Sequence, residues 1–131
     1  SYTVVGPYLG LISGTGNTFL ATDTMSSHAW SEFSNYTVLG SAVRGTASFA
    51  SATSTGASPA NVTTSTATAI TYTITGGGGT VGGCFLVTGS GASSTISNTS
   101  GTLYSAGDFA TAKVTTAGDT VSVTYSTTAT S

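Results

Sequence analysis

Two runs in this chain alternate residue by residue: Ile70-Thr71-Tyr72-Thr73-Ile74-Thr75 and Thr120-Val121-Ser122-Val123-Thr124-Tyr125. A period of two puts the apolar members of each run on one side and the hydroxyls on the other, which is a strand with one buried face. Before the second run, Phe109 to Thr116 is also rich in β-formers, and Ala117-Gly118-Asp119 between them tolerates turn geometry. The end of the chain therefore reads as an antiparallel hairpin whose apolar face earlier strands must cover.

The remaining segments are read as that cover. Val81 to Thr88 is an unbroken apolar run, the pattern of a central strand, and Gly76 to Gly79 supplies the turn before it. Tyr2 to Val5 and Tyr8 to Ile12 are two short β runs broken by Gly6-Pro7. Proline cannot donate to a ladder, so this end is expected at a sheet edge. Asp23 to His28 is the one helical candidate, opened by Thr22 or Asp23 as a cap. Trp30, Phe33, Tyr36 and Val38 sit close together in the densest aromatic stretch; Trp30 or Phe33 is expected to close one end of the core, and Tyr36 and Val38 to begin a strand that ends at Leu39-Gly40. One strand is expected near Thr46 to Ala50, then a long exposed Ala/Ser/Thr loop through Ser58-Pro59 to Thr68, and a second polar loop from Gly89 to Gly101. The fold class is all-β: one domain over residues 1–131, an antiparallel β-sandwich or small barrel of seven to nine short strands with one short helix. Its core is expected to contain Val81, Phe85, Val87, Val121, Val123 and Tyr125 with the Ile70-Tyr72-Ile74 face.

Composition narrows the function classes. Only 5% of the 131 residues are charged, against about 25% in ordinary domains, while Ser and Thr exceed a third of the chain. Two basic residues, Arg44 and Lys113, cannot neutralise a run of phosphates, so neither nucleic acid nor an anionic membrane is an expected partner. No apolar run reaches the roughly 20 residues of a membrane span and no signal peptide is recognised, so the chain reads as a soluble mature product. The single cysteine, Cys84, sits among apolar neighbours and is read as a reduced thiol in the core.

The chemistry-bearing residues form no convincing constellation, and no catalytic, cofactor-binding or metal residue is assigned. Gly77, Gly79 and Gly82 have dinucleotide-loop spacing, but a strand rather than a helix follows. His28 would need a serine and one of Asp23, Asp108 or Asp119 to make a triad, combinations that come freely in a Ser-rich chain. Asp108 and Asp119 each follow a glycine and read as turn residues; meeting across the sheet they could hold a calcium ion, though such a site normally takes about six or more oxygens and clustered acids. Asn35, Asn61 and Asn98 begin N-x-S/T triplets, as expected by chance at this hydroxyl content.

Two stretches, Asp23 to Phe33 and Gly101 to Phe109 with Gly118 to Tyr125, resemble small structural proteins of tailed bacteriophages, variously virion-associated, decoration or tail-fibre-like. They cover about a third of the chain. The resemblance implies a non-enzymatic virion protein and carries no cofactor or catalytic residue. The leading expectation is a capsid decoration, or cement, protein on the capsid exterior, with the major capsid protein and its own copies as partners in a homodimer or homotrimer. The edge strand near Pro7 and the loop from Ser51 to Thr68 are the expected contact elements. The alternatives are a tail or fibre component, and a carbohydrate-binding or adhesive module in which Trp30, Tyr36 or another exposed aromatic stacks on a sugar.

Overall fold

The computed structural model describes residues 6–49, 53–55, 62–66 and 68–130. They form eleven strands and no helix. In the first sheet, β8 (Gly79–Thr88) lies between β1 (Tyr8–Ser13) and β9 (Thr102–Thr115). The other side of β1 is shared by β2 (Ser31–Phe33) and β4 (Gly45–Thr46). The second sheet has the order β10 (Thr120–Val123), β7 (Ile70–Ile74), β3 (Tyr36–Thr37). The third has the order β11 (Ser126–Thr130), β6 (Val62–Thr66), β5 (Thr53–Thr55). All pairings are antiparallel. The third sheet prolongs the second, because the segments that pair as β7 with β10 pair again as β6 with β11.

The alternation of β7 does what its sequence requires. Ile70, Tyr72 and Ile74 are buried and the threonines between them exposed. They pack with Tyr36 and Val123 of the second sheet against Leu9, Leu11, Phe33, Val81 and Leu86 of the first, which makes the sandwich core. The Tyr72 hydroxyl donates to the Leu9 carbonyl at 2.6 Å, a hydrogen bond that ties one sheet to the other. Val123 is buried as expected, while Val121 and Tyr125 are half-buried against the same core.

Phe85 and Val87, expected in that core, face the opposite side of the first sheet. There they join Ile12, Met25, Trp30 and Ala92 in a second cluster, beneath the segments 19–30 and 89–101. A sheet covered on both faces needs apolar residues in both phases, and this is why β8 reads as a continuous rather than an alternating run. Gly10 faces Phe85 across β1 and β8, and a Cβ at position 10 would collide with the phenyl ring, so the glycine admits the aromatic side chain across the strand.

Several expectations are corrected. The segment Asp23 to His28 is a pair of turns rather than a helix. Asp23 accepts from Leu20 N through Oδ2 and donates to Leu20 O, both at 3.0 Å, while Thr24 and Ser27 exchange backbone bonds. Short polar side chains here satisfy the backbone locally, which competes with a helical ladder. The terminal hairpin is not formed either. β10 pairs with β7, Val121 opposite Tyr72 and Val123 opposite Ile70, so residues 116–119 carry the chain from the first sheet to the second. The matching alternation of β7 and β10 puts both apolar sets in one core.

Tyr8 to Ser13 is interior to its sheet, because Pro7 stands just before the ladder begins and interrupts none of it. Backbone pairing places β5 and β6 inside the expected loop from Ser51 to Thr68. Of the eleven strands four have only two or three residues, and the seven longer ones fall within the expected seven to nine. Near Thr46 only Gly45–Thr46 pairs as a strand. Tyr2 to Val5, Ala50, Ser58-Pro59 and Asn61 lie outside the described residues.

Truncating Phe85 to Ala removes the centre of the second cluster and is expected to lower stability by about 3–5 kcal/mol in denaturant unfolding. Gly10→Ala should destabilise the wild-type protein by about 1–3 kcal/mol through the displaced ring and be nearly neutral in the Phe85→Ala background. Equal penalties in both backgrounds would refute the assigned contact.

Candidate functional site

The most highly organised polar group in the fold is Arg44, whose side chain is 0% exposed. It follows Val43 at the entrance to β4, and Glu32 in β2 lies on the same side of β1. The guanidinium grips the carboxylate with two bonds, Nε to Oε2 at 2.8 Å and Nη2 to Oε1 at 2.7 Å. Nη1 donates to the Ser93 carbonyl at 2.9 Å and Nη2 to that of Asn98 at 2.7 Å. Four of the five guanidinium donors are thereby used. The group also stands 5.0 Å from the centre of the Phe85 ring. Glu32 Oε1 accepts from Ser97 N at 2.9 Å, and the backbone of Arg44 donates to Ser94 O at 2.7 Å. One ion pair thus ties two sheet-edge strands to the loop between β8 and β9.

Read from the sequence alone, Arg44 has no role beyond its charge. A usable signal was present: in a chain with only 5% charged residues, an arginine and a glutamate each sit beside strand-forming apolar residues, as Val43-Arg44 and Glu32-Phe33. Lone charges in such settings call for partners.

The residues weighed for chemistry are not brought together. His28 stacks on Trp30 with ring centres 3.6 Å apart and planes 8° from parallel, and its Nδ1 donates to the Trp30 carbonyl at 2.6 Å. In a triad that nitrogen would face a carboxylate. Asp23 closes its own turn, and Asp119 accepts from Thr116 N at 2.9 Å. Asp108 lies within β9 rather than in a turn. Its two oxygens take Asn17 N at 3.1 Å and Asn17 Nδ2 at 2.8 Å, which clasps the 14–19 segment to the sheet. No group of three metal-ligating side chains occurs among the described residues. Trp30 and Tyr36 are buried, so neither offers a face to a sugar, whereas Tyr104 on β9 is 60% exposed beside Phe19 and Leu20.

Two of the recesses among the described residues border these groups. One of about 280 Å³ is bordered by Met25, His28, Trp30, Glu32 and Asn98, with the Glu32 carboxylate already engaged. The larger, about 630 Å³, opens between the 38–43 corner and the start of β7, lined by Val38, Leu39, Val43, Thr46, Ile70 and Thr71. Its rim carries an unusual turn. Val38 and Ser41 exchange backbone bonds of 2.8 and 3.1 Å around Leu39 and Gly40, whose φ values are +51° and +81°. Positive φ at both central positions is the type I′ geometry that favours Asn-Gly, and a leucine there costs roughly 1–2 kcal/mol. Leu39 is also 100% exposed. Leu39-Gly40, expected to end a strand because a leucine gives no turn signal, forms this turn instead.

Cys84 is a free thiol, half-buried against the sandwich core. Burial pushes its pKa up from 9.0 to about 11. No family model, curated protein or solved structure matches the chain. The functional reading therefore rests on the residues themselves.

Removing one member of the buried pair, as in Arg44→Met, leaves an unpaired carboxylate and is expected to lower stability by about 3–5 kcal/mol. The double variant Arg44→Met/Glu32→Leu should recover much of that loss, a coupling that a double-mutant unfolding cycle measures. For Cys84 the folded pKa lies above the unfolded one. Its contribution to stability is therefore fully present below pH 9.0 and is lost as the pH rises to about 11. A thiol reagent should label Cys84 slowly in the native protein at neutral pH and fast on unfolding. Cys84→Ala should flatten the alkaline fall in stability.

Proposed function

We propose that this chain is a non-enzymatic virion structural domain, a decoration protein that binds the major capsid protein lattice on the outside of a tailed-phage head and associates with its own copies. The observation that carries this reading is that five of the six charged side chains bond within the chain, the sixth, Lys113, being exposed. Arg44 and Glu32 satisfy one another, Asp23 and Asp119 close turns, and Asp108 holds Asn17. What faces water is mainly hydroxyl, with Leu20, Leu39, Tyr104 and Val114 as exposed apolar anchors. Such a surface binds through apolar contact, shape and hydrogen bonds rather than ion pairs. The likeness to tailed-phage structural proteins supplies the virion setting. The interior position of Tyr8 to Ser13 in its sheet removes that strand as a contact element, and of the contact loop expected from Ser51 to Thr68 only β5, β6 and Thr68 lie within the described residues.

A glycan-binding reading is favoured by one observation, Tyr104, which is exposed at the edge of the 180 Å³ recess that Phe19 and Leu20 share. Aromatic faces of this kind accept sugar rings. Under the capsid reading the protein co-sediments with purified heads, and raising salt from low to high concentration leaves binding nearly unchanged. Heads stripped of it should burst at lower temperature. Recovery with tails, or Tyr104-dependent glycan binding without head binding, would displace the capsid reading in favour of the corresponding alternative.

A further inference from the structure

Leu39 stands against both its conformational and its solvation preference. It occupies a left-handed position at φ +51° and is 100% exposed. The turn itself does not require a leucine, since an asparagine would make the same Val38–Ser41 hairpin with less strain and better hydration. A side chain wholly in solvent packs against nothing in its own chain. Backbone strain of this kind is retained where something outside the local structure uses it.

The cavity of about 630 Å³ beside it supplies the complement. Val38, Val43 and Ile70 give it apolar walls, and its one charged member, Arg44, is buried and paired with Glu32. An uncharged knob and an uncharged hole therefore lie on one patch, next to each other. That is the arrangement a two-fold axis needs, because the same patch must serve as donor and acceptor on both copies. With the only charge on the patch neutralised internally, two such faces approach without like-charge repulsion.

We infer that this face is a homodimer interface, in which Leu39 of each copy enters the cavity of the other. The volume lies within the roughly 300–1,000 Å³ span of small-molecule pockets. A free ligand, however, accounts for the hole and leaves the strained, exposed leucine without a reason. The inference rests on the self-association part of the proposed function and not on the capsid part.

Sedimentation equilibrium on the full chain tests it. The wild type should dimerise. Leu39→Asn should raise the thermal midpoint by relieving the turn and weaken the dimer by about tenfold or more. Ala69→Lys, at an exposed position on the cavity lining, should weaken the dimer similarly without lowering the midpoint. A wild type that is monomeric at every concentration overturns the inference, as does either variant keeping the wild-type dissociation constant. Head binding is read separately. A wild type that dimerises through Leu39 but ignores heads upholds the inference and removes the capsid reading. A monomeric wild type whose head binding is lost in Leu39→Asn assigns Leu39 to the capsid protein and overturns the dimer.

Discussion

The fold depends on the Arg44–Glu32 pair, because the first sheet has two apolar faces and only one second sheet to cover them. The far face, with Ile12, Phe85 and Val87, is roofed by irregular chain. Loops make poor roofs, since each ordered residue forfeits backbone entropy of about 1–2 kcal/mol and irregular backbone has no ladder to satisfy it. Arg44 answers both needs at once: its guanidinium satisfies the Ser93 and Asn98 carbonyls and holds them over the sheet. Glu32 neutralises the charge and takes the Ser97 amide as well. A buried pair is not by itself a stabilising device when compared with an apolar pair of the same volume. Its contribution here is geometric, because Glu32, Ser93 and Asn98 all meet at one planar guanidinium.

The same logic runs through the other polar side chains. Asp108 does for the 14–19 segment what Arg44 does for the 89–101 loop, with Asn17 offering both its amide and its backbone N–H. Tyr72 ties the second sheet to the first through the Leu9 carbonyl. Asp108, Glu32 and the Leu9 carbonyl thus fasten irregular segments or the second layer to β9, β2 and β1. The regular ladders needed no such help, which is why hydroxyl residues suffice over so much of the surface.

Local patterns made part of this legible in the sequence. β7 and β8 were readable because their periodicity reports burial directly, alternating for a strand with one buried face and continuous for a strand with two. The destination of β10 was not readable. Val121 and Val123 specify a buried face but not which strand shares it, and a short turn between two β runs serves a hairpin and a sheet-to-sheet crossing equally well. The expected helix from Asp23 to His28 failed because the same Asp, Thr and Ser residues that cap helices also close turns, and here the turn bonds win. That Arg44 and Glu32 need partners is legible, but not that they are each other's, because the two are brought together only by the pairing of β1 with both β2 and β4. Leu39 was invisible for the opposite reason: its position contradicts local preference, and a rule built on preference cannot find an exception to itself.

Those exceptions say how a nearly uncharged protein behaves in company. Net charge keeps most small proteins apart, and a formal charge of −2 on 131 residues gives little long-range repulsion. Solubility then rests on hydroxyl hydration and on keeping large apolar groups separate. Three of the four exposed apolar anchors, Leu20, Tyr104 and Val114, lie on or beside β9 or the segment packed near it, and Leu39 stands apart at its own turn. Copies of such a domain would meet little electrostatic penalty when crowded side by side, and any contacts between them would persist when salt screens everything else. The requirement this sets is that each apolar anchor be met by a shaped, uncharged partner, because weak repulsion leaves nothing else to select the correct contact over a wrong one.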